Sequence, residues 1–171
     1  MTHGRVLGID PGLNITGYGL IEFDGQRSRV VEAGVVRSKA SGALESRLRQ
    51  IHDGVAEVIK SLSPEVMAVE ELFSHYERPR TAILMGHARG VICLAAATAD
   101  VSICHYAATH VKKMLTGSGR APKLQMQQAV CREFQLNEPP DPPDVADALA
   151  IALCHCFSSR TLDDQSRKHA S

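Results

Sequence analysis

The chain has 171 residues, of which 44% are hydrophobic and 22% charged, so it is long enough for one compact domain and too short for two. It contains no run of about 18 apolar residues, and its N-terminus lacks the charged start and apolar stretch of a signal peptide, which predicts a cytoplasmic protein without a membrane partner. The formal net charge is zero, which by itself argues against a nucleic-acid partner.

The N-terminal part of the chain has the pattern of three β-strands joined by short turns. An apolar run over 5–10 is followed by a proline-glycine turn. A second strand is predicted over 16–23, and Asp24-Gly25 is typical of a hairpin turn. A third strand over about 29–37 completes an antiparallel meander.

The rest of the chain alternates between helices and short strands. Apolar residues repeat at helical spacing over 44–62, and Ser63-Pro64 ends that helix. The remaining predicted elements are strands over 66–70 and 101–106 and helices over 81–99, 108–115, 123–134 and 144–157. This alternation predicts an α/β fold whose mixed five-stranded sheet, antiparallel at first and then parallel, is flanked by helices. We expect a single domain over 1–158 and a polar, disordered tail over 159–171.

Charge is unevenly distributed along the sequence. Residues 72–123 carry seven basic and two acidic groups, whereas both flanking segments are acidic. This suggests a basic face that would attract phosphate and a carboxylate-rich patch that would attract a divalent cation. A solvated surface without a binding function gives the same pattern, so the charge distribution alone does not establish a phosphate-binding or cation-binding site. The basic residues are Arg78, Arg80, Arg89, Lys112, Lys113, Arg120 and Lys123.

The five cysteines form an odd set without a Cys-x-x-Cys spacing. Cys154-His155-Cys156 could indicate a metal site, but residues two apart on a helix point in different directions. We therefore predict reduced, mostly buried thiols.

Four acids stand at the ends of predicted elements. Asp10 and Glu70 each end an apolar strand, and they lie close together if their strands are neighbours, at the edge where ligands bind in open α/β sheets. Asp144 and Asp147 are three residues apart at the start of a helix and share one face. Taken singly, each acid has a simpler explanation as a turn residue, a solvated strand end or a helix cap. Their joint occurrence favours a catalytic site.

Four grouped carboxylates would repel one another unless hard cations neutralised them, and oxygen ligands of this kind suit Mg²⁺ or Mn²⁺. Two such ions about 3.5–4 Å apart can activate a water molecule and stabilise the leaving oxygen at phosphorus. The acids therefore predict a metal-dependent nuclease with two Mg²⁺ ions per active site, for which Mn²⁺ could substitute.

Five motifs occur in order between about residues 5 and 157: Leu7-Gly-Ile-Asp10-Pro-Gly with Gly17-Tyr-Gly, Val69-Glu70-Glu71-x-Phe73, Gly86-x-Ala-Arg-Gly90, Val111-Lys112 with Lys123, and Asp144-x-x-Asp147-Ala-Leu-Ala-Ile. Together they resemble the RuvC family of Holliday junction resolvases. The resemblance implies an RNase H-like fold, a homodimer, and Mg²⁺-dependent paired nicking of four-way DNA junctions in recombination and repair. It also implies 5′-phosphate ends and a branch-migration helicase partner.

The resemblance assigns roles to individual residues. The four acids fall on the family's catalytic and metal-binding positions: Asp10, Glu70, Asp144 and Asp147. Lys112 and Lys123 fall on its basic residues near the cleaved phosphate, where lysine acts as a point charge. Phe73 falls on its base-stacking aromatic, although a core residue would give the same pattern. We also expect Lys113 and Arg120 to contact DNA.

The segment after Phe73 departs from the family, because residues 74–80 appear one residue longer than the usual segment. It follows the Glu70 strand, so we predict that Tyr76 and Phe73 wedge the junction centre while Arg78 and Arg80 hold the strand to be cut. A solvated surface loop is the alternative.

Two further acids, Asp141 and Glu71, fall outside the family's catalytic set, and the sequence leaves open whether either assists the site.

Three other functions are compatible with parts of the sequence. Gly8-x-Asp10-x-Gly12 also resembles the first phosphate loop of actin-like ATPases and sugar kinases, but the second half-domain that those proteins need is missing. Another RNase H-like nuclease, such as one acting on RNA–DNA hybrids, fits the pairing of Lys112 with Lys123 less well. A junction-binding protein with weak or lost catalysis is disfavoured because all four acids are present.

Overall fold

The computed structural model describes residues 4–72 and 79–169, with side chains described to Thr161. Its ten elements follow the predicted order. They are β1 (Gly4–Asp10), β2 (Ile15–Phe23), β3 (Ser28–Arg37), α1 (Leu44–Leu62), β4 (Val66–Glu70), α2 (Pro79–Thr98), β5 (Ser102–Tyr106), α3 (Ala108–Thr116), α4 (Lys123–Phe134) and α5 (Pro143–His169).

The five strands form one mixed sheet in the order β3-β2-β1-β4-β5. β1 pairs with β2, and β2 with β3, in antiparallel fashion, whereas β1 with β4 and β4 with β5 are parallel. The predicted sheet is therefore confirmed. β1 and β4 are neighbours, and their pairing runs to Ile9 opposite Val69, so that Asp10 and Glu70 follow one step later at the same edge.

Strand alternation decides which way these acids face. In β1, Leu7 and Ile9 belong to the core shared with α1 and α2, whereas Val6 belongs to the core formed with α5, and Gly8 lies directly under α5. Because successive side chains point to opposite faces, Asp10 follows Gly8 toward α5. The same alternation in β4 places Glu70 on that face.

Two helix boundaries differ from the sequence predictions by two residues or more. α2 begins at Pro79, since proline is favoured in a first helical turn, and this places Arg80 on the helix. α5 runs to His169, so the predicted end near residue 157 was wrong. Residues 158–169 contain neither proline nor glycine, and no local signal ends the helix there. Whether the tail is disordered in solution stays a prediction.

All five cysteines are free, as predicted, but only Cys154 and Cys156 are buried, whereas Cys93, Cys104 and Cys131 are half-buried. Burial raises the thiol pKa to about 11 for Cys154 and about 12 for Cys156, which makes both poor metal ligands and nucleophiles.

Within the described residues, one helix is long and apolar enough to span a membrane by length and composition, and it is α2. A single such helix is weak evidence, because core helices pass the same test.

Candidate active site

Helix α5 lies unusually close to the sheet because glycines stand beneath it. A Cβ atom added to Gly8 would lie 2.0 Å from the Ala148 carbonyl oxygen, and one added to Gly17 would lie 2.1 Å from the Asp144 carbonyl oxygen. Any larger residue would push the helix away. Glycine inside a strand often marks such a close approach, so glycines on one face of adjacent strands were a signal that the sequence reasoning left unused.

The four acids lie close enough together for three of them to affect the pKa of the fourth. Asp10 lies among them, and burial, followed by the neighbouring Asp147, Glu70 and Asp144 carboxylates, raises its pKa to about 7 against the opposing effect of Lys123. Burial and then Asp147 raise the pKa of Glu70, and Lys112 opposes this. The structure thus brings together all four acids that the sequence singled out.

The donor chemistry fits a divalent cation. Burial and then three neighbouring carboxylates disfavour the ionised form of Asp10 and raise its pKa, and a hard cation bound there would stabilise that form. No three carboxylate, imidazole or thiol groups among the described residues are already gathered at metal-ligand positions. The assignment of a cation site therefore depends on the charge and the oxygen donors of the four acids, not on a preformed cluster of ligands.

Both predicted lysines lie beside the acids. A cleft of about 240 Å³ is lined by Glu70, Lys112, Lys123 and Asp147, together with apolar residues of α3, α4 and α5. The Lys123 ammonium donates a hydrogen bond to Asp147 Oδ2 at 3.3 Å. Lys123 is the first residue of α4, and Lys112 lies on α3, so these two helices deliver positive charge to the acidic edge.

The other described residues predicted to contact DNA do not lie in the clefts beside the acids. Lys113, Arg120 and Arg80 are exposed, and none of them lines either of the two clefts that border Glu70. The predictions for Phe73, Tyr76 and Arg78 fall outside the described residues.

The two acids that the sequence left open are also placed. Asp141 is exposed and is not among the groups that shift the pKa of Asp10 or Glu70. Glu71 is exposed and lines the second cleft that borders Glu70, and its backbone N–H donates to the Tyr106 carbonyl oxygen at 2.8 Å.

Comparison with known proteins gives one consistent result. The family model for the crossover junction endodeoxyribonuclease RuvC matches residues 6–155. A crossover junction endodeoxyribonuclease RuvC of Rhodopirellula baltica is 57% identical over 159 residues, covering 92% of this chain and 89% of that protein. The match thus spans all four acids and both lysines.

Solved structures agree in fold. The structure of Thermus thermophilus RuvC in complex with a Holliday junction substrate is similar with a TM-score of 0.87 and 36% identity, covering 93% of this chain and 96% of that chain. A yeast mitochondrial Holliday junction resolvase has a TM-score of 0.65 at 12% identity, covering 98% of this chain and 86% of its own, which is a likeness of fold alone.

Proposed function

The chain belongs to the RuvC family of crossover junction endodeoxyribonucleases and has its RNase H-like fold, and from this premise we propose that it resolves four-way DNA junctions by paired phosphodiester hydrolysis in recombination and repair. One observation carries the proposal: the four acids lie close enough together at one sheet edge to change the pKa of Asp10 and of Glu70. Burial and then Asp147, Glu70 and Asp144 raise the pKa of Asp10, and burial and then Asp147 raise that of Glu70. Two lysines line a cleft with Glu70 and Asp147, where their charges would attract a phosphate.

The same four carboxylates would hold the divalent cations, and we infer two Mg²⁺ ions per site, with Mn²⁺ as a substitute. Bound there, such ions supply an activated water and neutralise charge on the leaving oxygen. The family resemblance indicates cleavage that leaves a 5′-phosphate.

The lysines have a separate task. Lys123 is bonded to Asp147, and Lys112 is close enough to Glu70 to oppose the rise in its pKa, so both lysines lie at the acidic edge. A DNA phosphate entering this cleft would offer both ammonium groups a second anionic partner, which offsets the repulsion between phosphate and carboxylates.

Paired cutting needs two active sites, and a two-fold dimer supplies them most simply. One face of α2 supports a dimer surface, because its exposed residues recur at helical spacing: Ile83, His87, Gly90, Leu94 and Ala97. Ile83 is 62% exposed and Leu94 56%, which is costly for apolar side chains that remain in water. A Cβ at Gly90 would meet nothing within 4 Å, so a second helix can approach closely.

Sedimentation tests the dimer. Leu94→Glu should convert a micromolar dimer into a monomer, whereas Leu136→Glu, outside α2, should leave the dimer unchanged. A wild-type protein that sediments only as a monomer would contradict paired cutting by one complex.

The resemblance extends the proposal to a branch-migration helicase as partner, and we retain the cytoplasm as the proposed location. Co-purification of the tagged protein with a DNA-stimulated ATPase from its own cells would support the first, and fractionation the second.

A single assay tests the main activity. The purified protein is incubated with a labelled synthetic four-way junction and with a linear duplex of the same sequence, with and without Mg²⁺. We expect symmetric nicks in the junction alone and only with Mg²⁺. Tight junction binding without nicking would leave only the junction-binding alternative.

A further inference from the structure

Arg89, on α2, connects three elements at the acidic edge. Its Nε–H donates a hydrogen bond to the Glu70 carbonyl oxygen at 3.1 Å, and its Nη2 group contacts His105 Nδ1 at 2.6 Å. It lines a cleft of about 240 Å³ with Asp10, Glu70 and Glu71 on the side of the acids opposite the lysines. Arg89 belongs to the motif Gly86-x-Ala-Arg-Gly90, and apart from its place among the basic residues of 72–123 nothing above gives this arginine a task.

The Glu70 carbonyl needs a partner from outside the sheet. The pairing of β1 with β4 ends at Ile9 opposite Val69, one residue too early to serve it. The N–H of the same peptide group, that of Glu71, donates to the Tyr106 carbonyl oxygen at 2.8 Å. Since the N–H and C=O of a peptide point in opposite directions, β5 holds one side of this peptide and Arg89 holds the other.

Arg89 reaches Glu70 through the backbone, whereas the lysines act on the carboxylates. Lys112 and Lys123 oppose the raised pKa values of Glu70 and Asp10, and Arg89 bonds to the Glu70 carbonyl oxygen. A hydrogen bond of this kind fixes the orientation of a peptide plane.

His105 in turn orients the guanidinium. Arginine has only donors, so Nδ1 of His105 is the acceptor of this hydrogen bond. His105 lies on β5 opposite Val69, so the contact ties α2 to the strand beyond β4.

We propose that Arg89 is a positioning residue: it fixes the Glu70–Glu71 peptide and thereby aims the Glu70 carboxylate at the metal-binding site. This rests on the proposed function for its catalytic consequence, but its effect on metal binding can be measured without DNA. A displacement of about 1 Å in such a ligand is enough to cost on the order of 10²-fold in rate.

The test compares Arg89→Met, which keeps the aliphatic stem, with Arg89→Lys, which keeps the charge but loses the two-pronged geometry. Arg49→Met is the matched control, since Arg49 is an exposed residue of α1 paired with Asp53. For each protein we would measure Mn²⁺ binding by calorimetry without DNA, junction affinity in Ca²⁺, and single-turnover cleavage against Mg²⁺ concentration.

Both Arg89 variants should bind Mn²⁺ about 10-fold more weakly and cleave about 10–100-fold more slowly, with cleavage partly rescued at high Mg²⁺ and junction affinity unchanged. The control should match wild type. His105→Leu should show the same defect in smaller degree, and it stands in for Arg89→Met should that variant fail to fold.

Three outcomes would overturn the proposal. Normal Mn²⁺ binding in Arg89→Met would show that the peptide needs no such support. Full activity in Arg89→Lys would assign the effect to charge, and a loss confined to junction affinity would make Arg89 a DNA contact. If wild type fails to cleave junctions, the proposed function fails, yet the Mn²⁺ comparison still decides the role of Arg89.

Discussion

Gly17 in β2 and Asp144 in α5 touch backbone to backbone: a Cβ on Gly17 would lie 2.1 Å from the Asp144 carbonyl oxygen and 2.5 Å from its carbonyl carbon. Gly17 also pairs with Asp10 across β1 and β2. The glycine therefore sets the distance between an acid of the sheet and an acid of the helix, and the shape of the site depends on a residue without a side chain.

Replacing Gly17 with alanine should displace the first turn of α5, because neither backbone can yield locally. We expect cleavage to fall by at least about 10-fold and the protein to lose about 1–3 kcal/mol of stability from overpacking. Gly4→Ala in β1 is the control, since its Cβ would meet only Glu65 Oε2 at 3.5 Å. Chemical denaturation and single-turnover cleavage are the measurements, and normal activity in Gly17→Ala would show that α5 has room to move.

The four acids should be individually necessary. Amide variants of Asp10, Glu70, Asp144 and Asp147 should each lower the cleavage rate by at least about 10², since each would hold or orient a metal ion. Junction binding in Ca²⁺ should survive. Asp141→Asn is the comparison, and a comparable loss there would add that residue to the site, while near-normal cleavage by Asp147→Asn would remove that one.

Asp10 should destabilise the metal-free protein above neutral pH. Its folded-state pKa is raised to about 7 from an ordinary value of 3.8, so the folded state prefers the protonated form. The stability that this preference contributes is fully present below about pH 4 and is lost as the pH rises through 7.

Asp10→Asn should therefore raise the unfolding free energy at pH 8 by about 1–3 kcal/mol and change it little near pH 4. For a chain of this size that corresponds to roughly 2–4 °C in Tm per kcal/mol. Thermal melts in EDTA across this pH range are the measurement, with the exposed Glu57→Gln as control. Equal melting of wild type and Asp10→Asn at pH 8 would contradict the assignment.

Junction affinity should depend strongly on salt, because binding releases counterions from phosphate. Lys112→Met and Lys123→Met should each reduce the slope of log affinity against log salt concentration by about 1, whereas Lys60→Met, on the last turn of α1, should not. Binding titrations at several salt concentrations test this. Equal affinity of wild type for junction and linear duplex at moderate salt would argue against structure selectivity.

The segment 74–80, which is one residue longer than in the family, should influence where the junction is cut. Tyr76→Ala combined with Arg78→Ala should weaken cleavage or change its sequence preference without altering metal binding, because stacking and guanine contacts act on bases. Cut sites are compared on junctions that differ only at the crossover bases. An unchanged cleavage pattern and rate would show that the segment 74–80 takes no part in selecting the cut site.

Local patterns in the sequence were enough to predict the order of all ten elements. A strand needs only alternation or a short apolar run, and a helix only a 3.6-residue repeat with its stop signals, so β4 and α4 were predicted to the residue. The preference of the acids for a metal ion could also be read from the sequence. Asp10 and Glu70 end strands, and carboxylate groups bind hard cations in any fold that brings them together.

Only the tertiary structure decided the contacts between elements. The bond from Arg89 to the Glu70 carbonyl, the bond from Lys123 to Asp147 and the approach of Asp144 to Gly17 join residues 19, 24 and 127 positions apart, where no periodicity connects them. Such pairs are set by how helices pack on a twisted sheet. The sequence therefore determined which groups are available for the proposed chemistry, and packing determined what holds them in place, because side-chain identity is a local property and distance is not.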